Sequence, residues 1–160
     1  MLCTINTDAS FSKPHKLGGY AFWAISNSFK ITKSGTFRDK CSDPTDCEIK
    51  CIINALMTVI HGCDGVTKII VNTDSMNAIH VLTNDKAAQN AYTGGAKAGE
   101  KYRMSFNKVV STGKSKPTIE FRHVRAHTTK ENPRSWVNDW CDNEARKAKW
   151  NKINSLQASN

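Results

Sequence analysis

The order of strand-like and helix-like segments limits the fold of this chain more than any other feature of its sequence. Residues 2–6, 20–25 and 29–37 have strand composition and are joined by short connections, which predicts an antiparallel meander. A helical pattern follows, and residues 68–72 then form a short apolar run typical of a buried strand. Because a buried strand reached through a helix favours a parallel crossover, we expect a mixed sheet.

The remaining segments complete this sheet and its helices. Apolar residues at helical spacing follow Asp43-Pro44-Thr45-Asp46, and Thr45 with Glu48 fits a capping box. Further helices are predicted over 75–82, within 83–116 and from Ser135, and a strand over 118–124. The fold class is therefore α/β: a five-stranded mixed sheet, three antiparallel strands then two parallel crossovers, flanked by helices. We expect one domain over 1–150, then a polar tail over 151–160 that frays.

Composition narrows the functional classes. The net charge of +9 favours a polyanionic partner, of which nucleic acid is the commonest, although a solvated basic surface has the same composition. No apolar run is long enough to span a bilayer, and Met1–Asp8 does not resemble a signal peptide, so we expect a cytoplasmic protein without membrane contact. Several of the six cysteines lie within strand or helix patterns, and the six are interpreted as buried thiols rather than disulfides or zinc ligands.

Two aspartates follow two different predicted strands. Asp8 comes after the first strand of the chain, and Asp74 comes just past the buried run at 68–72. An aspartate at a strand end often has only a turn or cap role. Two of them at the carboxyl ends of adjacent strands are more informative, because ligand sites in open α/β sheets lie there.

Two carboxylates in predicted helices could join them. Glu48 lies in the first turn of its helix, where capping and metal binding compete for the same carboxylate, and Asp142 lies beside apolar residues. Acids that cluster repel one another and need a cation. Magnesium suits ligands that are all oxygen, and two ions about 4 Å apart could clamp the attacking water and the leaving oxygen.

These residues, taken in order, resemble type 1 ribonuclease H. The resemblance rests on Thr7-Asp8-Ala9-Ser10 with Gly18-Gly19-Tyr20, Glu48, Asp74-Ser75, His123-Val124-Arg125-Ala126-His127, and Asn138 through Cys141-Asp142-Asn143-Glu144-Ala145-Arg146. It covers about residues 3–149. Each motif alone is weak, but their order and separation together are specific.

The resemblance implies an endoribonuclease that hydrolyses the RNA strand of RNA/DNA hybrids with two Mg²⁺ ions, for which Mn²⁺ can substitute, and leaves 5′-phosphate and 3′-hydroxyl ends. A monomer is expected. The implied metal ligands are Asp8, Glu48, Asp74 and Asp142, and His127 in a loop is implied in proton transfer. The expected substrate contacts are Ser10, Thr45, Ser75 and Asn138. Lys97, Lys101, Arg103 and Lys108 form either a solvated helix face or a reduced basic handle for the DNA strand.

Several alternatives stay open from the sequence. Asp139 competes with Asp142 for the fourth carboxylate position, although Cys-Asp-x-x-Ala-Arg favours Asp142. A DNA-cutting relative with the same fold is disfavoured by the Thr-Asp-Ala-Ser opening and the His127 loop. A hybrid-binding module without activity would need a lost carboxylate, and a flavodoxin-like domain would not begin with three antiparallel strands. A zinc site at His123 and His127 is disfavoured because this spacing spans a strand end and a loop.

Overall fold

The computed structural model describes residues 1–83, 95–125 and 133–159. At 95–97 and 133–135 it describes the backbone only. The elements are β1 (Leu2–Ser12), β2 (Leu17–Ile25), β3 (Lys30–Thr36), α1 (Pro44–Gly62), β4 (Lys68–Thr73), α2 (Met76–Thr83), α3 (Gly95–Ser111), β5 (Thr118–His123) and α4 (Pro133–Ala158). The sheet order is β3-β2-β1-β4-β5. Strand β2 pairs antiparallel with β1 and β3, whereas β4 pairs parallel with β1 and β5. The predicted mixed sheet is confirmed.

Helices cover both faces of this sheet. One face packs against α1, α2 and α3, and its core includes Ile5, Phe22, Ile52 and Val71, all fully buried. On the other face α4 packs over β1 and β2, where Cys141 and Ala145 meet Ala21 and Trp23. The two helical layers therefore approach β1 from opposite sides.

Two glycines at the start of β2 allow this close approach. A Cβ atom on Gly19 would lie 2.2 Å from the carbonyl oxygen of Ala145 in α4. A Cβ atom on Gly18 would lie 2.5 Å from Sγ of Cys47 in α1. Real Cβ contacts are never this short, so any side chain here would push the helices off the sheet.

The start of α1 differs from the prediction. Asp43, not Thr45, is the N-cap residue: its side chain accepts a hydrogen bond from the Asp46 amide at 2.8 Å, and Pro44 begins the helix. Asp46 in turn accepts from the Ser42 amide at 2.9 Å. The predicted capping box of Thr45 and Glu48 is therefore wrong, because the side chain of Asp43 caps the helix and the helix starts at Pro44.

The last helix is longer than the sequence pattern indicated. Residues treated as a fraying tail continue α4 through Ala158, and Ile153 within them is fully buried. That burial fixes this part of the helix against the rest of the protein. Within the described ranges, no helix is both long and apolar enough to cross a membrane. All six cysteines are free thiols; five of them are buried, and Cys63, which was also predicted to be buried, is half-buried.

Candidate metal centre

The site forms where the parallel strands β1 and β4 separate. Their last paired residues are Asn6 and Asn72, and the buried Asn72 side chain donates a hydrogen bond to Oδ1 of Asn6 at 3.2 Å. Asp8 and Asp74 each lie two residues beyond this pair. Asp8 is still within β1, which continues along β2 to Ser12, so it lies inside a strand rather than after one. The shared offset brings the two half-buried carboxylates together at one edge of the parallel pair.

Glu48 of α1 joins these two aspartates. One carboxylate oxygen from each of Asp8, Glu48 and Asp74 lies within 4.8 Å of the others. The Ala9 amide donates to Oδ1 of Asp8 at 2.9 Å and also to Oε1 of Glu48 at 3.3 Å. The other oxygen of Glu48, Oε2, is buried and has no hydrogen-bond partner among the described residues. Because Glu48 does not cap α1, its carboxylate stays available to a ligand.

Helix α4 contributes the open side of the cleft. Asn138, Asp139 and Asp142 line it together with Thr7, Asp8, Asp74, Val124 and Arg125. Asp142 is half-buried and forms an ion pair with Arg146 one turn further along the helix, whereas Asp139 is exposed. Both candidates for the fourth carboxylate therefore face the same cleft, and Asp142 is the more enclosed.

Burial and mutual repulsion disfavour ionisation of this cluster. Burial, then the charges of Asp74 and Asp142, raise the pKa of Asp8 from 3.8 to about 7. The pKa of Glu48 is raised well above its usual range, mainly by burial and then by the negative charges of Asp8 and Asp74. A divalent cation would offset both costs, and hard oxygen ligands are those that Mg²⁺ prefers. The unpartnered buried oxygen of Glu48 and the shared carboxylate edge fit such an ion.

Two buried thiols lie beneath the carboxylates. Sγ of Cys51 donates to the backbone oxygen of Asp8 at 3.4 Å, and Sγ of Cys141 donates to that of Asn6 at 3.6 Å. Burial raises the pKa of both thiols, which keeps them neutral. They therefore support the backbone of β1 rather than compete for a metal ion.

Comparison with known proteins identifies the family. The sequence profile of the RNase H family matches residues 2–149. The chain belongs to the RNase H family. It is a ribonuclease H hydrolase by this membership, and no curated protein sequence matches it significantly.

Solved structures share the fold of this RNase H. LC11-RNase H1 in complex with an RNA/DNA hybrid has a TM-score of 0.68 at 13% identity, over 94% of this chain and 99% of that one. The N-terminal RNase H domain of a Mycobacterium tuberculosis protein has a TM-score of 0.69 at 14% identity, and the match covers 97% of this chain and 98% of that one. RNase H1 from Halobacterium salinarum NRC-1 has a TM-score of 0.63 at 15% identity, and the match covers 92% of this chain and 97% of that one. At these identities the likeness shows the fold alone.

The predicted substrate contacts of this RNase H lie in different surroundings. Ser75 immediately precedes α2. Its hydroxyl accepts a hydrogen bond from the Ala78 amide at 3.1 Å, so it already caps this helix. Asn138 lines the cleft, Thr45 is half-buried one turn before Glu48, and Ser10 is half-buried in β1 two residues past Asp8. His127 and the side chain of Lys97 lie outside the described residues. Arg103 already has a partner within the protein, since its guanidinium donates a hydrogen bond to the Val81 carbonyl at 3.4 Å.

Two neighbours of the carboxylates were not assigned a role from the sequence. Nε2 of His123, the last residue of β5, lies 3.1 Å from the backbone oxygen of Asp74, and Arg125 lines the cleft. Both belong to a motif that supports the family resemblance, but a motif does not say which side chain faces a site. Their positions follow from the pairing of β5 with β4, in which His123 is opposite Thr73.

Proposed function

We propose that this RNase H hydrolyses the RNA strand of RNA/DNA hybrids at a divalent-metal site formed by Asp8, Glu48, Asp74 and Asp142. The observation that carries the proposal is the cluster of buried and half-buried carboxylates with an unpartnered oxygen on Glu48. The hybrid substrate is supported by the family and by LC11-RNase H1, a structural neighbour solved with an RNA/DNA hybrid. The net charge of +9 is consistent with a polyanion.

The four acids would hold two Mg²⁺ ions, for which Mn²⁺ can substitute. When bound, the ions supply activation of the attacking water and stabilisation of the leaving 3′ oxygen, giving 5′-phosphate and 3′-hydroxyl ends. Asp8 would be the central ligand, because it lies beside Glu48 and Asp74 and the charge of Asp142 acts on it as well. Glu48 is buried, which keeps bulk water away from that side of the cluster, and the phosphodiester would enter from the side lined by α4.

The remaining residues would orient and select the substrate. Asn138 on the cleft wall can donate to a phosphate oxygen, and the Thr45 hydroxyl can reach a 2′-hydroxyl, the group that distinguishes RNA from DNA. His127 would accept or deliver the proton of the reaction. One chain supplies every carboxylate of the site, which is consistent with a monomeric enzyme.

The test is a cleavage assay with labelled RNA/DNA hybrid, double-stranded RNA and double-stranded DNA, with and without Mg²⁺. We expect cleavage of the RNA strand of the hybrid alone, dependence on the metal, and loss of activity in Asp8→Asn. Asp64→Asn is the matched control, because Asp64 is exposed at the opposite end of β4. Hybrid binding without cleavage in Mg²⁺ or Mn²⁺ would refute the proposal, and DNA cleavage would favour a DNA-cutting relative.

A second pair of variants separates the two candidates for the fourth ligand. Asp142→Asn should reduce activity by a factor of 100 or more, on the order expected for loss of a charged group that acts directly on the reaction centre. Asp139→Asn should change activity far less, because Asp139 lines the same cleft but is more exposed than Asp142. The opposite order of effects would reassign the position to Asp139.

A further inference from the structure

Arg125 provides positive charge in a cleft that is otherwise acidic. Asp8, Asp74, Asp139 and Asp142 line the cleft, and Arg125 is the cation among its described lining residues. A phosphodiester brings another negative charge to these carboxylates. Metal ions would offset part of the repulsion, and a guanidinium that faces the same space offsets more of it and presents a planar pair of donors to phosphate oxygens.

Hydrogen bonds to β4 hold the backbone next to Arg125 in place. The amide of Val124 donates to the Thr73 carbonyl at 2.9 Å, continuing the pairing of β5 with β4 by one residue. The His123 ring contacts the Asp74 carbonyl at 3.1 Å. The chain is therefore tied to the segment that carries Asp74 at the two residues before Arg125, so the backbone from which the Arg125 side chain extends is held next to this carboxylate.

We propose that Arg125 is a substrate-binding residue whose guanidinium contacts a backbone phosphate of the nucleic-acid strand in the cleft. This inference rests on the proposed function, because it takes the strand that lies over the carboxylates as its ligand. A second arginine, Arg122, lies in β5 three residues before Arg125 and has different surroundings: its Nε donates to Oε1 of Glu120 at 2.9 Å. Arg122 is therefore a matched control with equal charge, similar exposure and a partner of its own.

Binding is measured by fluorescence anisotropy with a labelled RNA/DNA hybrid in Mg²⁺, in an Asp8→Asn background that leaves the RNA uncut. Loss of a charge-assisted hydrogen bond to phosphate should weaken binding about 10-fold or more in Arg125→Gln. The slope of log affinity against log salt, taken between about 50 and 200 mM, should become shallower by about 0.9. Arg125→Lys should retain part of the affinity, because it keeps the charge but loses the planar fork, and Arg122→Gln should change affinity by less than about 2-fold.

The proposal is overturned if Arg125→Gln keeps the parent affinity and salt slope, or if Arg122→Gln weakens binding as much. A melting curve checks that each variant is folded, and Arg125→Lys provides the comparison if the glutamine variant is not. In the active background, Arg125→Gln should raise KM more than it lowers kcat; a change in kcat alone would instead indicate an effect through Asp74. If the parent enzyme cuts no hybrid, the proposed function fails, yet the binding comparison still tests Arg125.

Discussion

Removing the charge at Asp8 should stabilise the metal-free protein at alkaline pH. Asp8 lies in a partly buried cleft, and burial, followed by the negative charges of Asp74 and Asp142, raises its pKa from 3.8 to about 7. Asparagine has nearly the same shape and keeps an oxygen for the Ala9 amide, which now donates to Oδ1 at 2.9 Å. The substitution therefore removes repulsion while it preserves most of the local contacts.

The sign and size of the effect follow from proton linkage. Because its folded-state pKa is the higher one, Asp8 stays protonated in the folded protein at pH values where it is ionised in the unfolded chain. The resulting loss of stability begins near pH 4, grows as the pH rises, and is complete above about pH 7. A difference of about 3 units between the folded and unfolded pKa of Asp8 lowers the free energy of unfolding by about 4 kcal/mol as an upper limit. Roughly 2 to 3 kcal/mol of this loss accumulates between pH 5 and pH 8.

The measurement is urea unfolding in a chelator at pH 5 and pH 8, for the parent protein and for Asp8→Asn. The parent should lose more stability on going to pH 8 than the variant does, and Asp64→Asn should behave like the parent. Added Mg²⁺ should raise the stability of the parent at pH 8 and have a much smaller effect on Asp8→Asn. Equal pH dependence in parent and variant, or a variant less stable than the parent at pH 8, would refute the assignment of this repulsion to Asp8.

Three further predictions concern packing and caps. Gly19→Ala should lower the free energy of unfolding by about 3 kcal/mol, because the new Cβ would lie 2.2 Å from the Ala145 carbonyl oxygen. Gly62→Ala is the control and should not destabilise the protein, because its Cβ would have no atom within 4 Å. Equal Tm values for the two variants would contradict the close contact at Gly19. Asp43→Ala should cost about 1 kcal/mol in urea unfolding and Thr45→Ala much less, and the reverse order would restore the capping box first predicted. Ile153→Ala should lower stability by about 3 kcal/mol, and calorimetry that shows no larger loss than for the exposed Leu156→Ala would indicate that the end of α4 is not packed.

Local periodicity predicted most of the fold. The β-type composition of β1 and β2, the alternation in β3, the apolar run of β4 and the helical spacing in α1 can each be read within one segment. The cap of α1 was missed because Thr45 and Glu48 also fit a capping box. Asp43 followed by Pro44 was the better signal, since proline favours the first position of a helix and aspartate the position before it. The end of α4 was missed because a polar segment with one buried isoleucine has little periodicity.

The sequence by itself determined that Asp8 and Asp74 belong to neighbouring strands, because strand order and parallel crossover follow from the sequence of segment types, but it did not show that Asp8 lies inside β1. Only the tertiary structure decided that both lie two residues past the Asn6–Asn72 pair, since register depends on side-chain packing between strands. It also decided that Glu48 is available to the cluster, because the cap of α1 is made by other residues. The rotation of α4 over Gly19 sets how Asp142 and Asp139 face the cleft, and that rotation arises from close packing between elements far apart in the chain.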